Sequence, residues 1–138
     1  VNAYPKFLKA LAEADVDIPA VTVSVACTTS TFDTAHDFLN DVTVVGSDDN
    51  IPGVAVTATA TGVTCDTTAV SEATCLELAG VGTGSPVALV VYVDTGTPST
   101  SRLIGYVDLR AGNSPVAFTN DGGTVKVWWP AGVWMGGG

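Results

Sequence analysis

"SPVALVVYVDTG", residues Ser85 to Gly96, is the most apolar stretch of the sequence, and its reading decides the fold. It has too few polar positions to leave one face in water, and Gly and Pro stand on either side. A short apolar run of this kind is a strand buried on both faces, so it is expected at the centre of a sheet. "TGTPSTS" (95–101) supplies the turn after it, and "RLIGYVDL" (102–109) runs back as its partner. Outward from this pair, "AVTVSVACT" (20–28) sets Val21, Val23, Val25 and Cys27 against Thr22, Ser24 and Ala26, the period of a half-buried strand. Cys27 then points inward as a small hydrophobe.

The alternation recurs in "GVAVTATATGVTCDTTAVSEATCLEL" (53–78), where Val54, Val56, Ala58 and Ala60 oppose Thr57, Thr59 and Thr61. Gly62 and "TTAVSE" are expected to divide it into strands. "GGTVKVWWPAG" (122–132) opposes Val125, Val127 and Trp129 to Thr124, Lys126 and Trp128. At the other end, "YPKFLKALAEA" (4–14) places Tyr4, Phe7, Leu8 and Leu11 at helical spacing, with Pro5 in the first turn and "DVDIP" as the stop. Roughly seven or eight short strands with Gly/Pro turns predict a mainly β chain, an antiparallel β-sandwich or jelly-roll-like barrel with a short N-terminal helix and one short inserted helix. One domain over residues 1–138 is expected, with a helical arm over 1–19 and a flexible glycine tail over 136–138.

Composition narrows the functions. The chain has 138 residues, of which 46% are hydrophobic and only 14% charged, which suggests that part of its surface is covered in an assembly. Lys6, Lys9, Arg102, Arg110 and Lys126 are scattered against fourteen acids, for a net charge of −9, so no basic patch awaits nucleic acid. The longest apolar stretch, 18–27, is interrupted and falls well short of the roughly 20 residues that cross a bilayer. The first residues turn amphipathic and acidic, unlike a secretory signal. Cys27, Cys65 and Cys75 are odd in number and lack metal spacing; Cys65 and Cys75 could face each other across a hairpin, but free thiols are the plainer reading.

"FDTAHDFLNDV" (32–42) holds the only histidine. On a helix Asp33, Asp37 and Asp41 would share a face and could bind a cation, but the run lacks the calcium-loop pattern, and capping explains its acids as well. "GVGTGS" (80–85) mimics a phosphate loop yet lacks Lys and leads into a strand. Any serine triad would need His36, and no serine elbow is present. No catalytic, cofactor-binding or metal-binding residue is therefore assigned, and an enzyme is not expected. "KVWWPAGVWMGGG" (126–138) concentrates Trp128, Trp129, Trp134 and Met135; core packing for two of the tryptophans, a subunit interface and a sugar-stacking platform are the readings of this end.

Taken in order, "YPKFLKALAEADVDIPAVTVSVA", "FDTAHDFLNDV", "VALVVYVDTGTPSTSRLIGYVDL" and "GGTVKVWWPAGVW" resemble small structural proteins of tailed bacteriophages. Cys65, Cys75, the loops between Gly46 and Thr74 and the glycine tail depart from that pattern. The resemblance implies a non-catalytic virion component, foremost a capsid decoration or cement protein on the outer surface of the head, assembled in the host cytoplasm. Its partners would be the major capsid protein and copies of itself, in a homo-oligomer such as a trimer, with no nucleic acid and no membrane. A tail or neck component is the second expectation and a surface carbohydrate-binding module the third. The expected interface residues are Tyr4, Phe7 and Leu11 of the helix and Trp128, Trp134 and Met135 of the C-terminal end.

Overall fold

A computed structural model describes residues 2–12, 22–53, 55–59, 62–82, 85–108, 117–121, 123–129 and 132–137. The described chain is mainly β and antiparallel. A five-stranded sheet has the order β1 (Asn2–Ala3), β8 (Leu103–Asp108), β7 (Ala88–Asp94), β2 (Thr22–Thr28) and β3 (Val44–Asn50). Two three-stranded sheets accompany it. One runs β6 (Leu76–Leu78), β10 (Thr124–Trp128), β9 (Ala117–Asp121); the other runs β11 (Gly132–Gly137), β5 (Gly62–Thr67), β4 (Ala55–Thr59). One hydrophobic cluster draws Val25, Leu89, Val91, Leu103 and Val107 from the large sheet and Leu78, Val125, Val127 and Trp129 from the β6–β10 side, the packing of a β-sandwich.

β7 is central, as its composition requires. Every residue from Ala88 to Val93 is buried, and β7 pairs along its length with β2 on one side and β8 on the other. β10 keeps the expected alternation, with Val125, Val127 and Trp129 buried and Thr124, Lys126 and Trp128 half-buried.

β2 corrects the half-buried expectation. Ser24 and Ala26, expected to face water, are as fully buried as Val25 and Cys27. The strand lies between β7 and β3 and is covered on both faces, so its polar position must be satisfied inside. The Ser24 hydroxyl lies 2.8 Å from Asn50 Oδ1 and 3.0 Å from Asp94 Oδ2, and either can take its single proton. Cys27 does point inward, and burial pushes its thiol up to about 11. Cys75 is a free, half-buried thiol, so the Cys65–Cys75 pairing is not formed.

At the ends and turns one further expectation shifts, that of the glycine tail. Helix α1 spans Pro5–Ala12 of the run read as helical; the rest of the arm, 13–19, lies outside the described residues. Gly62 divides the run as expected: β4 (Ala55–Thr59) lies before it, and β5 begins at Gly62, paired with Thr59. Gly136 and Gly137 are not a loose tail: they pair with Thr64 and Val63 of β5, because ladder hydrogen bonds need only the backbone; Gly138 lies outside the described residues.

Candidate functional site

The histidine-containing segment forms no inserted helix carrying three carboxylates on one face. Only Leu39–Asp41 makes a single 3-10 turn, and Phe38 before it is extended at φ −116°, ψ 162°. Each acid has a separate local task. Asp33 Oδ1 accepts the Ala35 N–H at 2.8 Å, and the Asp33 carbonyl accepts the His36 N–H, which together close a turn. Asp41 Oδ2 accepts the N–H groups of Asp37 and Phe38 at 2.8 and 3.0 Å. Those donors are then lost to a helical ladder, which is why the helix does not extend back through 33–38. The bonds from Phe38 and Asp37 hold the Asp41 carboxyl below the usual carboxylate range.

Asp37 faces the sheet edge. Its Oδ1 lies 3.0 Å from Arg102 Nη1, and the Arg102 guanidinium sits 4.9 Å from the centre of the Phe38 ring. The backbone follows the same path: Leu103 N–H donates to the Asp37 carbonyl and Leu39 N–H to the Ser101 carbonyl, flanking the Phe38–Arg102 bridge. Further along β8, Tyr4 N–H donates to the Ile104 carbonyl, and Ala3 and Asn2 pair with Gly105 and Tyr106. Two segments distant in sequence thus cover the β8 edge from Ser101 to Tyr106, the protection an exposed ladder needs.

Between these segments lies an aromatic layer. The Tyr4 and Phe32 rings are 5.2 Å apart, Phe32 meets Tyr106 edge-on at 5.7 Å, and the Tyr106 hydroxyl donates to the Ser30 carbonyl. His36 lies beside Tyr4 at 6.5 Å between ring centres. Its Nδ1 and the Tyr4 hydroxyl are buried without a hydrogen-bond partner among the described residues, and burial pushes the Tyr4 hydroxyl far above its ordinary value. No group of three or more His, Cys, Asp and Glu side chains among the described residues could hold a metal ion.

These contacts correct two expected interface positions. Tyr4 and Phe7 are 0% and 1% exposed within the single chain, so neither side chain is presented to a partner. Pairing of β1 with β8 carries Tyr4 onto the sheet, and Phe7 N–H donates to the Tyr4 carbonyl one turn later. Leu11 lies on α1, and Trp134 and Met135 on β11; their side chains fall outside what the structure describes. The backbone does mark Trp134: Val133 pairs with Asp66 and Met135 with Cys65, leaving Trp134 as the extra residue of a bulge.

The paired tryptophans divide as strand geometry requires. Trp129 is buried, its Nε1–H donating to the Thr68 carbonyl at 3.0 Å and its backbone bridged to Val70. Trp128 packs against the core from a half-buried position, so part of its ring remains available to a partner. A flat sugar platform from this adjacent pair is not formed, since Trp129 is a core side chain.

A cleft of about 330 Å³ escaped the sequence reading. Leu39, Asn40, Val42, Val44, Gly46, Ser47, Asp48, Tyr92 and Pro98 line it. It opens where β3 departs from β2: Val25 pairs with Asp49 and Cys27 with Val45, so Gly46, Ser47 and Asp48 oppose Ala26 alone. Gly46 has φ 80°, and a Cβ there would lie 2.5 Å from the Ala79 carbonyl oxygen, which explains glycine at the bulge. Ser47 secures it through its N–H to the Ala79 carbonyl and its Oγ to the Ala79 N–H. The bulge brings Asp48 within 2.6 Å of the buried Tyr92 hydroxyl. Burial, this hydrogen bond and the nearby carboxylates raise Tyr92 far above its ordinary value, so it remains a donor. The signal in sequence was "VVGSDDN", a glycine inside a strand-like run.

Comparison with protein-family models, curated proteins and solved structures finds no match to this chain.

Proposed function

We propose that this chain is a structural protein of a tailed-bacteriophage virion, foremost a capsid decoration protein that binds the outside of the head and stabilises it through subunit contacts. The observation that carries the reading is where the resembling segments fall. Three of the four supply α1, most of β2, β7, β8 and the Asp37–Leu39 cover of the β8 edge, and the fourth supplies β10 and the start of β11. They form connected elements of one sandwich instead of isolated sequence likenesses. The net charge of −9 and the partly available Trp128 support a role in protein contacts. Small contacts of this kind gain strength when symmetry repeats them.

The work of such a protein is mechanical: it bridges neighbouring head subunits and adds interface free energy that a thinning or expanding shell would have to lose. Asp33, Asp37 and Asp41 are engaged in turn, edge and cap bonds in support of that rigid framework.

The test is saturation binding of the purified chain to purified heads lacking it, read by electron microscopy and by the heat needed to release packaged DNA. Decoration predicts many copies spread over the head lattice and a higher release temperature. A single ring at the neck would assign the chain to the tail or neck instead. No association with heads or tails would refute the virion reading.

A further inference from the structure

The cleft at the β3 bulge combines three properties. Its walls are apolar: Leu39, Val42, Val44 and Pro98 surround it, and Val44 is the one large hydrophobic that the described chain leaves exposed. Its charge is of one sign, since Asp48 is the only ionic side chain in the lining. The Asp48 carboxylate is also held in place, with Oδ2 accepting a hydrogen bond from the buried Tyr92 hydroxyl at 2.6 Å. Among the described residues the ion pairs formed by Arg102 and Lys126 go to Asp37 and Glu77, and none goes to Asp48.

An occupant must therefore offer apolar surface along its length and positive charge at its end. An uncharged apolar group would fill the walls but strip water from Asp48 with nothing in return. A bare ammonium ion would meet the carboxylate and leave the apolar walls wet. A lysine or arginine side chain does both, because its methylene stem covers apolar surface while its head stays polar. The cavity is at the small end of ligand sites and suits a single extended side chain. The acidic balance of the whole chain, −9, favours the approach of a basic segment from a distance.

We propose that this cleft receives one lysine or arginine side chain presented by a partner protein, with the stem on Leu39, Val42 and Val44 and the cationic head on Asp48. For the identity of the partner the inference rests on the virion reading above. The cation preference itself belongs to this chain alone. The Gly46 bulge is what makes the site: without the extra residues Asp48 would stay in the ladder, away from Tyr92 and the apolar rim.

The experiment titrates the isotope-labelled chain with N-acetyl-lysine methylamide and, separately, with its uncharged norleucine counterpart, following backbone amide shifts. Shifts should concentrate at Val42, Val44, Asp48 and Tyr92. Affinity for the lysine compound should exceed that for the norleucine compound by about fivefold, the effect of one partly exposed ion pair. Asp48→Asn keeps an acceptor for the Tyr92 hydroxyl while removing the charge, so the fold is retained and the preference should vanish. Equal binding of the two compounds, or no shifts at these amides, would overturn the proposal.

A second arm measures binding of wild type and Asp48→Lys to heads. Loss of binding only in the variant supports the cleft as the docking point; equal binding of both overturns it and leaves the virion reading intact. If the wild type ignores heads while the lysine compound still binds with the stated preference, the virion reading fails and the cation site stands.

Discussion

β7 and β3 have seven residues each and flank the same strand, β2, yet they carry opposite roles. β7 pairs residue for residue with β2, and its first six side chains are buried. β3 loses register at Gly46–Asp48, carries no fully buried residue, and turns a polar loop and an exposed valine outward. A continuous ladder supplies rigidity because neighbours on both sides fix every backbone group. A bulged edge supplies the recess, because the extra residues must leave the ladder and take their side chains with them.

Seven substitutions would break or sharpen this contrast. Leu89→Ala in β7 should cost about 2–5 kcal/mol, the range for a large side chain removed from a packed core, whereas Val44→Ser in β3 should stay within about 0.5 kcal/mol. Equilibrium denaturation in urea reads both, and similar losses at the two sites would remove the distinction between core strand and working edge.

Gly46→Ala should cost about 2 kcal/mol, from the left-handed backbone and the displaced Ala79 carbonyl. Gly96→Ala provides the control: φ is 84° there, but nothing lies within 4 Å of the added carbon, so backbone strain acts alone at about 1 kcal/mol. A larger melting-temperature loss at Gly46 than at Gly96 measures the close approach that holds the bulge.

Arg102→Ala should cost about 1 kcal/mol by removing the Asp37 pair and the contact over Phe38. Arg102→Lys should recover only part of it, since a point charge cannot also lie flat on the ring. Faster hydrogen exchange at the Leu39 and Leu103 amides would localise the damage to the covered edge; unchanged exchange there would count against the clamp.

A small effect is expected at Asp41, about 0.5 kcal/mol in Asp41→Asn at neutral pH. Because the fold lowers this carboxyl's pKa, its contribution is present above the ordinary carboxylate range and disappears as pH falls through the lowered value. Melting curves of wild type and variant should therefore differ at neutral pH and converge in acid.

Periodicity carried the elements whose environment is uniform. "ALVVYVD" reads as a central strand because it is apolar on both sides, and "TVKVWW" reads as a two-faced strand because it alternates. β2 was misjudged at Ser24, where a buried serine looks in sequence like a water-facing one until Asn50 and Asp94 are brought beside it. The spacing of Asp33, Asp37 and Asp41 suggested a helix for a similar reason. Local spacing cannot register that Arg102, more than sixty residues away, holds Asp37 at a sheet edge.

The sequence alone determined the mainly β character, the centrality of the Ser85–Gly96 stretch and the inward turn of Cys27 and Trp129, since burial in a ladder follows from side-chain pattern. Tertiary structure decided which edge needed cover, where β3 bulges and which carboxylate borders an apolar recess. Those features depend on pairing between segments far apart in the chain, and hydrogen bonds such as Tyr92 to Asp48 exist only once β2 has brought its two neighbours together.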